Sequence, residues 1–165
     1  MKAEVISETA KLWENDPDKA KGTPTVKARS EGALAVIEAG PFSWQADLPA
    51  PLGGSNRAAS PTALLLSALA GCAVVFIRDT LGPQLGVEIE SVEATASCEA
   101  DSRGLLGMEG AEPDLGNIGI DIRVVSSDGE DGVNRVMEAW KERCPIYLSL
   151  IKPMNVRVDF GTVNA

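Results

Sequence analysis

Histidine is absent from the chain. Its absence excludes Ser/His and Cys/His catalytic couples and removes the commonest side-chain metal ligand. Aromatic residues reach only 4% against 44% hydrophobic residues overall, so any core must be built from aliphatic side chains. Clusters of positive charge are missing as well. The 15 basic and 24 acidic residues leave a net charge of −9, which repels nucleic acid and anionic membrane surfaces. The opening "MKAEVISETAKLWENDPDKAK" carries charge throughout and has no apolar stretch of the kind a signal peptide needs. Cysteine is sparse: Cys72, Cys98 and Cys144 stand far apart, with no C-x-x-C pair and no zinc-ligand spacing. An odd, sparse set without an export signal predicts a reducing cytoplasm, where any disulfide is transient and chemical.

What is present fits one domain over residues 1–165, with residues 1–22 as a helical extension. Residues 3–14 have helical spacing, with Val5, Ile6, Ala10 and Trp13 on one side, and "NDPDKAKGTP" ends that helix. Thr25 to Asp47 suits three short strands, the last alternating through Phe42, Trp44, Ala46 and Leu48. A loop rich in proline and glycine, 49–60, precedes "SPTALLLSALAGCAVVFIRDTLG". There Ser60 reads as N-cap, Pro61 as first-turn proline and Gly82-Pro83 as the stop. The uncharged run, Thr62 to Ile77, is 16 residues, shorter than the ~20 a bilayer requires, so a central core helix is expected rather than a membrane span.

Downstream, "VEIESVEATASCE" changes phase between Ile89 and Val92, which predicts a strand bulged near Ser91. A glycine-containing loop leads to a strand with Ile118, Ile120, Ile122 and Val124 on one side. An amphipathic helix follows, with Val133, Val136, Met137 and Trp140 on its apolar face. "CPIYLSL" starts a second helical piece, and "MNVRVDF" reads as a last strand. The order defines an α+β domain.

The phase of the strand puts Cys98 on the core face with Val92, Ala94 and Ala96, a small buried hydrophobe. Cys72 follows Ala68, Ala70 and Gly71, small residues that allow either close helix packing or close approach of a substrate. Cys144 precedes Pro145, which pushes it out of helical geometry and makes it an N-cap near free N–H groups that favour a thiolate. From these residues alone, a redox pair and two packing cysteines both stay open.

"GGSNRAASPTALLLSALAGC", followed by "ERCPIYLSL", resembles the OsmC/Ohr family of thiol peroxidases acting on organic hydroperoxides. "ENDPDKAKGTPTVKARS", "DSRGLLGM" and "KPMNVRVDF" extend the resemblance over most of the chain. It implies an intertwined homodimer with curved antiparallel sheets around a long buried helix and active sites at the subunit interface. It makes Cys72 the peroxidatic residue and Cys144 the resolving residue, with a thiol reductant reopening their disulfide and no metal or organic cofactor. Cys98 matches no family cysteine. The family activates its thiolate with an arginine from an early strand, for which Arg29 is the best positional match and Arg57 a second candidate. The family glutamate that holds this arginine is replaced here: its positions are Thr62 and Ala63, neither able to form a bidentate ion pair. Two functions are therefore expected: reduction of organic or lipid hydroperoxides, or non-catalytic binding of a small lipophilic molecule at the interface.

Overall fold

The computed structural model describes residues 2–162. Helix α1 (Lys2–Asn15) lies outermost, followed by a 3-10 turn at Pro17–Ala20. Of its expected apolar side only Ile6 is half-buried, and Val5, Ala10 and Trp13 remain exposed. Strands β1 (Lys27–Glu31), β2 (Leu34–Ala39) and β3 (Phe42–Ala46) form an antiparallel meander. Its register aligns Ala28, Ile37 and Trp44 on one face, and Arg29, Val36 and Gln45 on the other. None of these strands contributes to the main hydrophobic core.

Buried Asp47 ties this sheet to the next helix. Its carboxylate accepts the N–H of Leu48 (2.7 Å), the N–H (3.2 Å) and hydroxyl (2.7 Å) of Ser55, and the N–H of Arg57 (2.9 Å). These contacts, the Arg57 N–H foremost and the Ser55 hydroxyl next, hold the Asp47 carboxyl well below the usual carboxylate range. The 47–57 loop is thereby folded around one buried charge.

Helix α2 (Pro61–Phe76) begins as the sequence predicts. Ser60 Oγ accepts the Ala63 N–H at 3.1 Å, and Pro61 occupies the first turn. Its end differs. The helix continues through a π turn (Ile77–Leu81) into α3 (Gly82–Leu85) and stops only at Gly86, whose φ of 64° is left-handed. Pro83 lacks an N–H and crowds the carbonyl four residues back, and the wide π turn before it gives the ring room. Gly82 is present for tertiary reasons: a Cβ there would meet Ile89 Cγ1 at 2.7 Å. The resulting helix, Pro61–Leu85, has 25 residues and by length and composition alone could cross a bilayer. In the fold its Leu69, Ala73, Ile77 and Leu81 are buried in the core.

Strands β4 (Ile89–Glu99) and β5 (Gly116–Ser126) pair antiparallel as a separate two-stranded sheet. The predicted bulge is present between Ile89 and Ser91, and a second irregularity lies between Ser97 and Glu99. Val92, Ala94, Ile120 and Ile122 turn toward α2. A short α4 (Ser102–Leu105) occupies the connecting loop. Helices α5 (Gly129–Arg143) and α6 (Pro145–Ile151) close the core, α5 burying Val136, Ala139 and Trp140. The expected last strand does not form within the chain. Residues 154–160 belong to no strand, and Val156, Val158 and Phe160 are exposed at 76%, 65% and 96%. The segment pairs with none of the edge strands β1, β3, β4 or β5.

Candidate active site

Two local devices meet at the cysteines. Cys72 stands in the middle of α2, one turn after buried Leu69. Cys144 joins α5 to α6. Pro145 forces it to extended geometry (φ −67°, ψ 113°), so it ends one helix and caps the next. Its N–H donates to the Trp140 carbonyl at 2.8 Å, its carbonyl accepts the Leu148 N–H at 3.0 Å, and its sulfur accepts the Tyr147 N–H at 3.5 Å. Three backbone contacts therefore fix where this thiol points.

It points at Cys72. The two Sγ atoms are 3.3 Å apart, with the Cys144 thiol donating to Cys72. Cys144 is fully buried and Cys72 is half-buried, so a molecule arriving from outside meets Cys72 first. Burial pushes the Cys72 thiol up to about 11. Cys144 reinforces that shift because two adjacent sulfurs resist both becoming charged, and the Ile146 N–H facing Cys72 opposes it. The Trp140 ring lies 5.0 Å from that of Tyr147 between centroids, and Trp140 shares the buried core cluster with Cys144. Leu69, Tyr147, Leu150 and Ile118 are among the residues lining a cavity of about 290 Å³, and neither cysteine is part of its wall.

The other predicted residues lie elsewhere. Arg29 is on β1, exposed, its guanidinium 3.2 Å from Glu31 and 3.5 Å from Glu38. Among the described residues no hydrogen bond or ion pair joins it to either cysteine. Arg57 donates from Nε to Ser55 Oγ at 2.9 Å and stays in the loop before α2. Cys98 is half-buried, in the predicted phase, at the second irregularity of β4. Among the described residues no group of three or more His, Cys, Asp or Glu side chains could hold a metal ion. Sequence reasoning gave no role to Asp47, Glu31 or Glu38. An aspartate closing an alternating strand before a glycine-rich loop is the signal that could have singled out Asp47.

The fold is α+β, with its central helix bringing Cys72 beside Cys144. The family described as OsmC-like protein matches residues 53–159, and the chain belongs to that family. Similar folds occur in an OsmC-like protein from Mycoplasma pneumoniae, 17% identical, with a TM-score of 0.65 over 79% of this chain and 88% of that one. An organic hydroperoxide resistance protein OsmC from Legionella pneumophila is 20% identical, with a TM-score of 0.54 over 79% and 90%. The organic hydroperoxide resistance protein OhrB of Bacillus subtilis is also 20% identical, with a TM-score of 0.51 over 79% and 91%. No curated protein sequence matches the chain.

Proposed function

We propose that the protein is a cytoplasmic, homodimeric thiol peroxidase that reduces organic or lipid hydroperoxides through Cys72 and Cys144. The observation that carries this reading is the 3.3 Å separation of the two sulfurs, one reachable and one buried. The Cys72 thiolate attacks the peroxide O–O bond. A sulfur–oxygen bond forms as the O–O bond breaks, the alkoxide leaves and takes a proton from water, and Cys72 becomes a sulfenic acid. The Cys144 sulfur then attacks Cys72, water leaves, and the S–S bond closes until an external thiol reductant exchanges with it. These steps use no metal or organic cofactor.

The dimer is supported by three uncovered apolar surfaces. Leu65, Ala68, Gly71 and Val75 form an exposed stripe on α2, Phe42 and Trp44 project from the uncovered sheet, and the 154–160 segment has no strand partner. Each can be covered by a second copy of the chain. In that dimer we assign the activating cation to Arg29 of the other chain. Arg29 pairs with Glu31 and Glu38 on its own sheet, while Thr62 and Ala63 add no carboxylate from the start of α2. Residues 1–165 then act as one domain, with residues 1–22 an added helix.

One observation favours a second reading, the binding of a lipophilic molecule without turnover: burial holds the Cys72 thiol high, and the same fold contains a cavity walled by Leu69, Ile118 and Leu150. The test is consumption of cumene hydroperoxide with dithiothreitol as reductant. Turnover lost in Cys72→Ser is the expected result. Peroxide-stable thiols in a protein that carries a lipophilic molecule would establish the second reading instead.

A further inference from the structure

Cys72 and Cys144 are both thiols in the reduced chain, 3.3 Å apart and aimed at one another. Two bonds of ~2.3 Å, the length of a zinc–thiolate bond, span ~3.3 Å when they meet near a right angle, and ~4.6 Å when they lie in line. The observed spacing suits a pyramidal two-thiolate centre and is too short for a linear two-coordinate soft cation. A tetrahedral metal would need further ligands, and the described residues provide no third one. An element that forms three bonds, one already to carbon, needs two sulfurs and no more.

We infer that Cys72 and Cys144 form a chelating site for monosubstituted trivalent arsenicals. In the step, an arsenic(III) oxide R–As=O meets two thiols. Two As–S bonds form, the arsenic–oxygen bonds and two S–H bonds break, and one water leaves. Arsenic stays trivalent and no electrons are transferred. The product is neutral, so the burial that penalises a Cys72 thiolate does not penalise it. The inference rests on the thiol pair alone and needs no peroxide chemistry.

The probe is phenylarsine oxide, added at one equivalent to the fully reduced full-length chain without peroxide. One arsenic per chain is expected by intact mass, with Cys98 the only thiol still open to iodoacetamide. Ethanedithiol should remove the arsenic and a tenfold excess of a monothiol should not. Cys72→Ser and Cys144→Ser should each weaken retention roughly 10²- to 10⁴-fold, the gain a second tethered ligand gives. Cys98→Ser should leave it unchanged. Inorganic arsenite, which seeks a third thiolate, should be held more weakly. Removal by monothiol, protection of Cys98, equal retention in Cys144→Ser, or arsenite held as tightly as phenylarsine oxide would each overturn the inference. The alkylation map of the unaltered chain decides the matter even if a serine variant fails to fold. Because no peroxide is present, failure here leaves the peroxidase reading standing.

Discussion

Cys144 Sγ lies 3.3 Å from Cys72 Sγ across 72 residues of sequence. Their exposures differ: Cys144 is sealed in the core, whereas Cys72 is half-exposed on α2. This asymmetry predicts different outcomes for the two serine variants. Cys72→Ser should abolish peroxide consumption. Cys144→Ser should stop at a sulfenic acid that dimedone labels on Cys72. Cys98→Ala should change melting temperature more than turnover. Equal loss in all three variants would indicate general destabilisation and refute the division of roles.

Arg29 carries the next prediction. An arginine brought beside a thiolate lowers its pKa by about 1–3 units, so Arg29→Ala should cut the thiolate fraction and the neutral-pH reaction with peroxide roughly 10- to 10³-fold. Without that cation the Cys72 thiol should titrate at about 11. An unfolded cysteine ionises at ~8.5 and releases its proton first, so the stabilisation is full below that pH and is lost as pH rises towards 11. Reduced Arg29→Ala protein should therefore lose melting temperature over this window, and adding Cys72→Ser should remove the loss. A slope that survives the second substitution would place its origin elsewhere.

Ala63→Glu tests how Arg29 is held. The new carboxylate should speed sulfenate formation while Arg29 is present and slow it in the Arg29→Ala background, where a lone negative charge opposes a thiolate. Ultraviolet thiolate absorbance against pH in all four variants reads both effects. A rise in the Cys72 pKa with Arg29 intact would shift attention to Arg57.

Asp47 sets the acid behaviour. Its carboxylate is held below the usual range, so its stabilisation is present above ~pH 4 and is lost as pH falls through the lower folded value. Asp47→Asn should lower the melting temperature at neutral pH and flatten its dependence below ~pH 4. An unchanged acid profile would mean that the 47–57 loop does not depend on this charge.

The uncovered apolar surfaces make the assembly testable. Trp44→Asp, or Val156→Asp in the unpaired C-terminal segment, should shift the protein from dimer to monomer in light scattering at micromolar concentration. A single chain per particle in the unaltered protein would contradict the assembly directly.

The parts of the fold that depend on neighbours in sequence were legible. Ser60 and Pro61 start α2, Cys144-Pro145 makes a cap, and the isoleucine alternation of β5 shows its buried face, because each is decided within a few residues. Gly82-Pro83 misled for the opposite reason: that glycine answers to Ile89 across a tertiary contact, and the helix passes through it. The segment "MNVRVDF" has the pattern of a strand but forms none, because pairing is a long-range contact that no local pattern supplies. The meeting of Cys72 with Cys144 was not written in either motif by itself. It came with the family resemblance, and the helix junction at Pro145 shows how the chain achieves it.

The most direct measurement adds one equivalent of cumene hydroperoxide to the fully reduced protein, quenches with alkylating reagent over a time course, and maps disulfides by mass spectrometry. A Cys72–Cys144 bridge within one chain, formed as the peroxide disappears and with Cys98 left alkylated, is the predicted result. Thiols that stay alkylatable while peroxide persists, or a bridge through Cys98, would contradict the account.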